Sequence, residues 1–122
     1  MLTLTTDTIT TGATVVSAQG RLDLAAAADF RALVADTVEE GHVRVVVDLS
    51  RVTFLDSSGI GALISGLRAT RQAGGGLSIV GAAAQVRVVL ELTKVDQILQ
   101  SFPDVETALR ASDGPVRSPG AR

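Results

Sequence analysis

The chain has 122 residues, enough for one ordinary domain around a single core. Its 46% hydrophobic and 20% charged content fits a soluble globular protein, and a net charge of -2 with no Trp or Tyr sets aside bulk nucleic-acid or anionic-membrane binding. Cysteine is absent, which excludes disulfides, thiolate metal sites and Cys nucleophiles.

Residues 1–10 alternate β-branched and apolar residues and read as a strand, with Thr11-Gly12 as a tight turn. Ala13 to Gln19 reads as a second strand, which completes a hairpin. After Gly20-Arg21-Leu22, Asp23 is placed to cap a helix from about Leu24 to Glu40. Leu24, Ala27, Phe30, Val34 and Val38 give that helix its apolar stripe, and Gly41 stops it. Val43 to Leu49 reads as a strand covered on both faces, followed by a loop from Ser50 to Asp56.

A second helix begins near Ser57 or Ser58, with Ile60, Leu63, Ile64 and Leu67 on one face, and ends at Gly74-Gly75-Gly76. Leu77 to Gly81 is a further covered strand, and a helix from about Ala83 to Leu92 turns Val86, Val89 and Leu90 inward. A last helix, about Asp104 to Ala111, is opened by Pro103. Residues 112–122 carry Gly114, Pro115, Pro119 and Gly120 without apolar periodicity and read as a disordered tail beyond a 1–111 domain. The order β-β-α-β-α-β-α-α implies an α/β domain: a mixed, mostly parallel four-stranded sheet with an N-terminal hairpin and four helices. If its strands lie in sequential order, right-handed crossovers put the connecting helices on one face.

Residues 48–61, Asp-Leu-Ser-Arg-Val-Thr-Phe-Leu-Asp-Ser-Ser-Gly-Ile-Gly, are the informative stretch. Asp56 and Ser57 fall at a helix start, where unpaired N–H groups and the positive end of the dipole gather. A plain cap accounts for residues of these types. The two glycines, Gly59 and Gly61, weaken that reading, since each lowers helix propensity and both leave room for another protein's backbone.

The stretch Phe54 to Gly61 resembles the phosphorylation motif of STAS-domain anti-sigma-factor antagonists of the SpoIIAA and RsbV type. Gly20-Arg21-Leu22-Asp23, the glycines at 74–76 and Leu90-Glu91-Leu92-Thr93 fit the same family, and the resemblance covers about residues 5 to 110. It implies that Ser57 accepts phosphate from an anti-sigma-factor serine kinase of the GHKL ATPase type. The unphosphorylated chain would bind that kinase and free a sigma factor, and a PP2C-type phosphatase would reset it. The resemblance implies no cofactor, no metal and no catalysis by the chain itself. Asp56 then either orients the Ser57 hydroxyl or only caps, and Asp23 either meets a basic partner residue or only caps. Ser58 is a minor acceptor or a first-turn hydrogen-bonding group; Ile60 is an exposed contact or a core residue. Lys94 departs from the pattern, standing where relatives often carry glycine.

Other chemistries lack support. His42 is the single histidine and no Gly-x-Ser-x-Gly occurs, against a serine hydrolase. No nucleotide-binding glycine motif is complete, and the acidic residues are scattered. A receiver domain needs an acidic pair after the first strand and a lysine at a late strand end; Lys94, the only lysine, follows a helix. A scaffold or lipid-transport accessory module on the same fold is the remaining alternative. With no leader or spanning run in the sequence, a soluble cytoplasmic protein is expected.

Overall fold

The computed structural model describes residues 2–8 and 12–113. Strands β1 (Leu2–Thr8) and β2 (Thr14–Leu22) form the antiparallel hairpin, registered from Leu2 opposite Gly20 to Thr8 opposite Thr14. Met1, Ile9, Thr10 and Thr11 of the expected hairpin and residues 114–122 of the expected 112–122 tail lie outside the described residues, while Ser112 and Asp113 belong to the last helix rather than to the tail. Then follow α1 (Leu24–Glu39), β3 (Arg44–Leu55), α2 (Ser57–Gln72), β4 (Gly76–Val80) and α3 (Ala84–Leu92). A 3-10 turn (Val95–Gln97), β5 (Gln100–Phe102) and α4 (Val105–Asp113) complete the described residues.

The sheet has five strands, not four, in the order β1-β2-β3-β4-β5, and β2 to β5 pair in parallel. The extra strand, β5, is three residues long with two exposed polar side chains, too short to carry an alternation. Because the order is sequential, successive β-α-β crossovers stack α1, α2 and α3 on one face. There Phe30 and Val34 of α1, Leu63 and Leu67 of α2, and Val86 and Leu90 of α3 close over Val45, Val47 and Ile79. α4 covers the other face, seating Ala108 against Val46 and Val80. This explains the apolar run Val45-Val46-Val47: the strand is buried on both sides.

Two further expectations are corrected. The expected Ser50–Asp56 loop is a continuation of β3. Its register against β2 slips between Ser17 and Gln19 and again between Gly20 and Arg21. Each slip spends an extra residue on β3, so its buried positions become Leu49, Val52 and Leu55 and the alternation is lost. The last helix starts at Val105 rather than at Asp104. Asp104 is outside it as the cap, accepting the Thr107 N–H at 2.8 Å, and Pro103 precedes the cap.

The helix ends follow the expected chemistry. Gly41 (φ 93°) and Gly74 (φ 95°) take the left-handed conformation, and the next residues, His42 and Gly75, donate back to Thr37 and Thr70 carbonyls at 3.1 and 2.8 Å. Leu24 leaves its predicted stripe: it is 74% exposed, while Ala26 is buried. As the first helical residue its side chain leans toward the helix start, past the end of the sheet.

Candidate functional site

Parallel pairing carries the ends of β2 and β3 to the same edge of the molecule, with Arg21 opposite Phe54 and Leu22 opposite Leu55. Each strand passes into its helix through the dipeptide Leu-Asp, Leu22-Asp23 and Leu55-Asp56. Both aspartates have extended backbone (φ/ψ -118/-170° and -109/-174°) and cap the helix that follows. Asp23 Oδ1 accepts the Ala26 N–H at 3.2 Å, and Asp56 Oδ1 accepts the Gly59 N–H at 2.9 Å. The starts of α1 and α2 therefore lie side by side, joined by the Asp56 N–H donating to the Leu22 carbonyl at 3.5 Å.

Ser57 is the first residue of α2 and is exposed; Ser58, Asp56 and Gly61 are half-buried. Ile60 is 8% exposed and belongs to the core, the second of the two roles its position allowed. Gly59 is buried, and the space beside its Cα is not kept for a partner. A Cβ there would overlap the Leu22 carbonyl oxygen and stand 2.8 Å from Leu55 Cδ1. The glycine is needed from inside, because α2 docks its first turn directly on the end of β2. Gly61 is different: a Cβ on it would lie 3.4 Å from Arg31 Nη2 and meet no backbone.

Three residues at this edge escaped the sequence reading. The Arg21 guanidinium stacks 4.0 Å over the Phe54 ring, and its Nε is 3.5 Å from Asp23 Oδ2. Phe54 is 37% exposed, and Leu24 stands out beside them. The signal for Arg21 was alternation, since it precedes the buried Leu22 in β2 and points away from the core; Phe54 lies where β3 has lost its alternation and carried no such signal. Their pairing depends on the bulges of β3, which the sequence does not announce. Among the described residues, no group of three or more His, Cys, Asp or Glu could hold a metal ion. Nor is any described helix long and apolar enough to cross a membrane.

Comparison with known families decides what this arrangement belongs to. The model of the STAS domain matches residues 5–108. The chain belongs to the STAS domain family.

One relative of this STAS domain is the TM1081 homolog of Thermotoga neapolitana, assigned as an anti-sigma factor antagonist. It is 26% identical over 77 residues, which span 63% of this chain and 68% of that protein. The crystal structure of TM1081 from Thermotoga maritima superposes with a TM-score of 0.85 at 21% identity, covering 91% of this chain and 95% of that one. An anti-sigma factor antagonist from Mycobacterium paratuberculosis gives 0.78 at 28% identity, over 93% and 96% of the two chains. The Bacillus cell fate determinant SpoIIAA, solved in its phosphorylated form, gives 0.69 at 20% identity, over 89% and 99%.

Proposed function

We propose that this STAS domain is an anti-sigma-factor antagonist that binds an anti-sigma-factor serine kinase of the GHKL ATPase type while Ser57 is unmodified. Phosphoryl transfer from ATP to the Ser57 hydroxyl oxygen ends that association, and a PP2C-type phosphatase reverses it. The observation that carries the reading is the exposed Ser57 at the first position of α2, on an edge where two helix starts meet. Relatives named as anti-sigma factor antagonists, and a phosphorylated neighbour of the same fold, support it. Arg21, Asp23, Leu24 and Phe54 surround the acceptor as the docking face, with Asp56, Ser58, Gly59, Ile60 and Gly61 shaping the helix start beneath it.

The switch works at the interface. Phosphate adds about -1.5 to -2 charges. The helix dipole favours a negative group at this end by about 0.3–1 kcal/mol, and the Asp56 carboxylate opposes it. The fold survives this balance, whereas an anion in the middle of a desolvated contact does not. Incubation with the cognate kinase and ATP, followed by intact mass measurement, tests the reading. Phosphate on the wild type and none on Ser57→Ala is the expected result. Phosphate on neither protein favours a passive STAS scaffold or transport accessory module.

A further inference from the structure

Arg31 is exposed on α1, and its guanidinium leans across the seam between α1 and α2, toward Gly61. Among the described residues it has no carboxylate partner, unlike Arg21, which pairs with Asp23, and Arg110, which pairs with Glu106. Ser57 and Gly61 are four positions apart on α2, hence neighbours on one helix face at about 5–6 Å between Cβ positions. An uncommitted cation therefore lies beside Gly61, one helical turn along α2 from Ser57.

We infer that Arg31 receives the phosphoryl group once Ser57 carries it, closing a guanidinium–phosphate pair across the α1–α2 seam. The inference rests on the reading of Ser57 as the acceptor. A phosphoryl group offers several acceptor oxygens to the planar fork of an arginine, a match that a serine hydroxyl lacks, so the pair forms only after modification. Two neighbouring charged groups, Asp56 and Arg21, are already engaged. Asp56 is tied to the Gly59 N–H on α2, and Arg21 is held by Asp23 and by the Phe54 ring at the ends of β2 and β3. Arg31 is a positioning residue: it fixes where the added charge rests and offsets its repulsion by Asp56.

The test places phosphoserine at position 57 during synthesis, so that no kinase is needed, and follows the phosphate by 31P NMR across pH. An adjacent guanidinium favours the doubly charged phosphate and lowers its second pKa. Arg31→Gln is expected to raise that pKa by about 0.5 or more relative to the otherwise wild-type phosphoprotein. Arg31→Lys should restore part of the difference, and Arg21→Gln should move the value less than Arg31→Gln does. Equal values with and without Arg31, or a larger shift from Arg21→Gln, overturn the inference. Arg31 is exposed, so its variants fold. The acceptor reading is judged separately, by the kinase reaction on the unmodified chain.

Discussion

The Leu22 carbonyl oxygen occupies the place where a side chain on Gly59 would begin. The same oxygen receives the Asp56 N–H, so the end of β2 supports both the cap and the first turn of α2. Two glycines of one helical turn thus have opposite reasons to be there: Gly59 is fixed by contact with backbone, and Gly61 touches only the tip of a long flexible side chain.

Gly59→Ala is therefore expected to destabilise the domain by about 2–3 kcal/mol, because the helix must back away from β2 to admit a methyl group. Gly61→Ala should instead be neutral or stabilising by up to about 1 kcal/mol, from improved helix propensity. Urea unfolding of the two variants beside the wild type checks the contrast. Equal effects would contradict the packing described for Gly59.

Asp56→Ala removes the acceptor for the Gly59 N–H and should cost about 1 kcal/mol, while Asp56→Asn keeps an oxygen in place and should cost less. If Asp56 acts only as a cap, Asp56→Asn will also be phosphorylated by the kinase at close to the wild-type rate. A marked loss of rate with unchanged stability would assign the carboxylate a second role toward the Ser57 hydroxyl.

Lys94 has φ 66°, the left-handed conformation, directly after the C-cap Thr93 of α3. Glycine adopts that conformation without the Cβ penalty, so Lys94→Gly should stabilise the domain by about 0.5–1 kcal/mol. Thermal unfolding measures it. At Lys94 the backbone geometry therefore prefers glycine.

Asp104 is held below the ordinary carboxylate range, first by the Thr107 N–H, then by the Thr107 hydroxyl and the charge of Arg110. Its pKa is lowered on folding, so its contribution is present above the unfolded value and is lost as pH falls through the lowered one. The start of α4 should loosen first on acidification. Amide exchange at Thr107 and Ala108 should rise below the ordinary carboxylate range, and Asp104→Asn should remove most of that pH dependence.

For the docking face, Phe54→Ala should weaken kinase binding with little loss of stability, because the ring is partly exposed and stacked by Arg21 rather than packed in the core. Calorimetric titration of kinase and variant in ADP checks this. An unchanged affinity would place Phe54 outside the interface.

Much of the order of elements was readable because α1 and α2 each carry an apolar stripe and a glycine stop, and Asp23 and Asp56 are capping residues at strand–helix boundaries. What escaped was decided by partners distant in sequence. The second half of β3 lacks alternation because its bulges answer the register of β2, and β5 exists only as an addition to the edge of β4. Gly59 was noticed, but its reason lies in a carbonyl contributed by another strand. Leu24 fitted a helical period and still faces outward, since a period says nothing about where the sheet beneath it stops.

Side-by-side seating of the two Leu-Asp junctions has a consequence for the newly made chain. Residues 56–59 are contained in any nascent polypeptide long enough to include them, but their neighbours Arg21, Asp23 and Leu24 join them only when β2 and β3 have paired. On the proposed reading, recognition of this composite edge would ignore copies in which β2 and β3 have not paired, so the amount of correctly folded protein, rather than the amount synthesised, would set how much partner is bound.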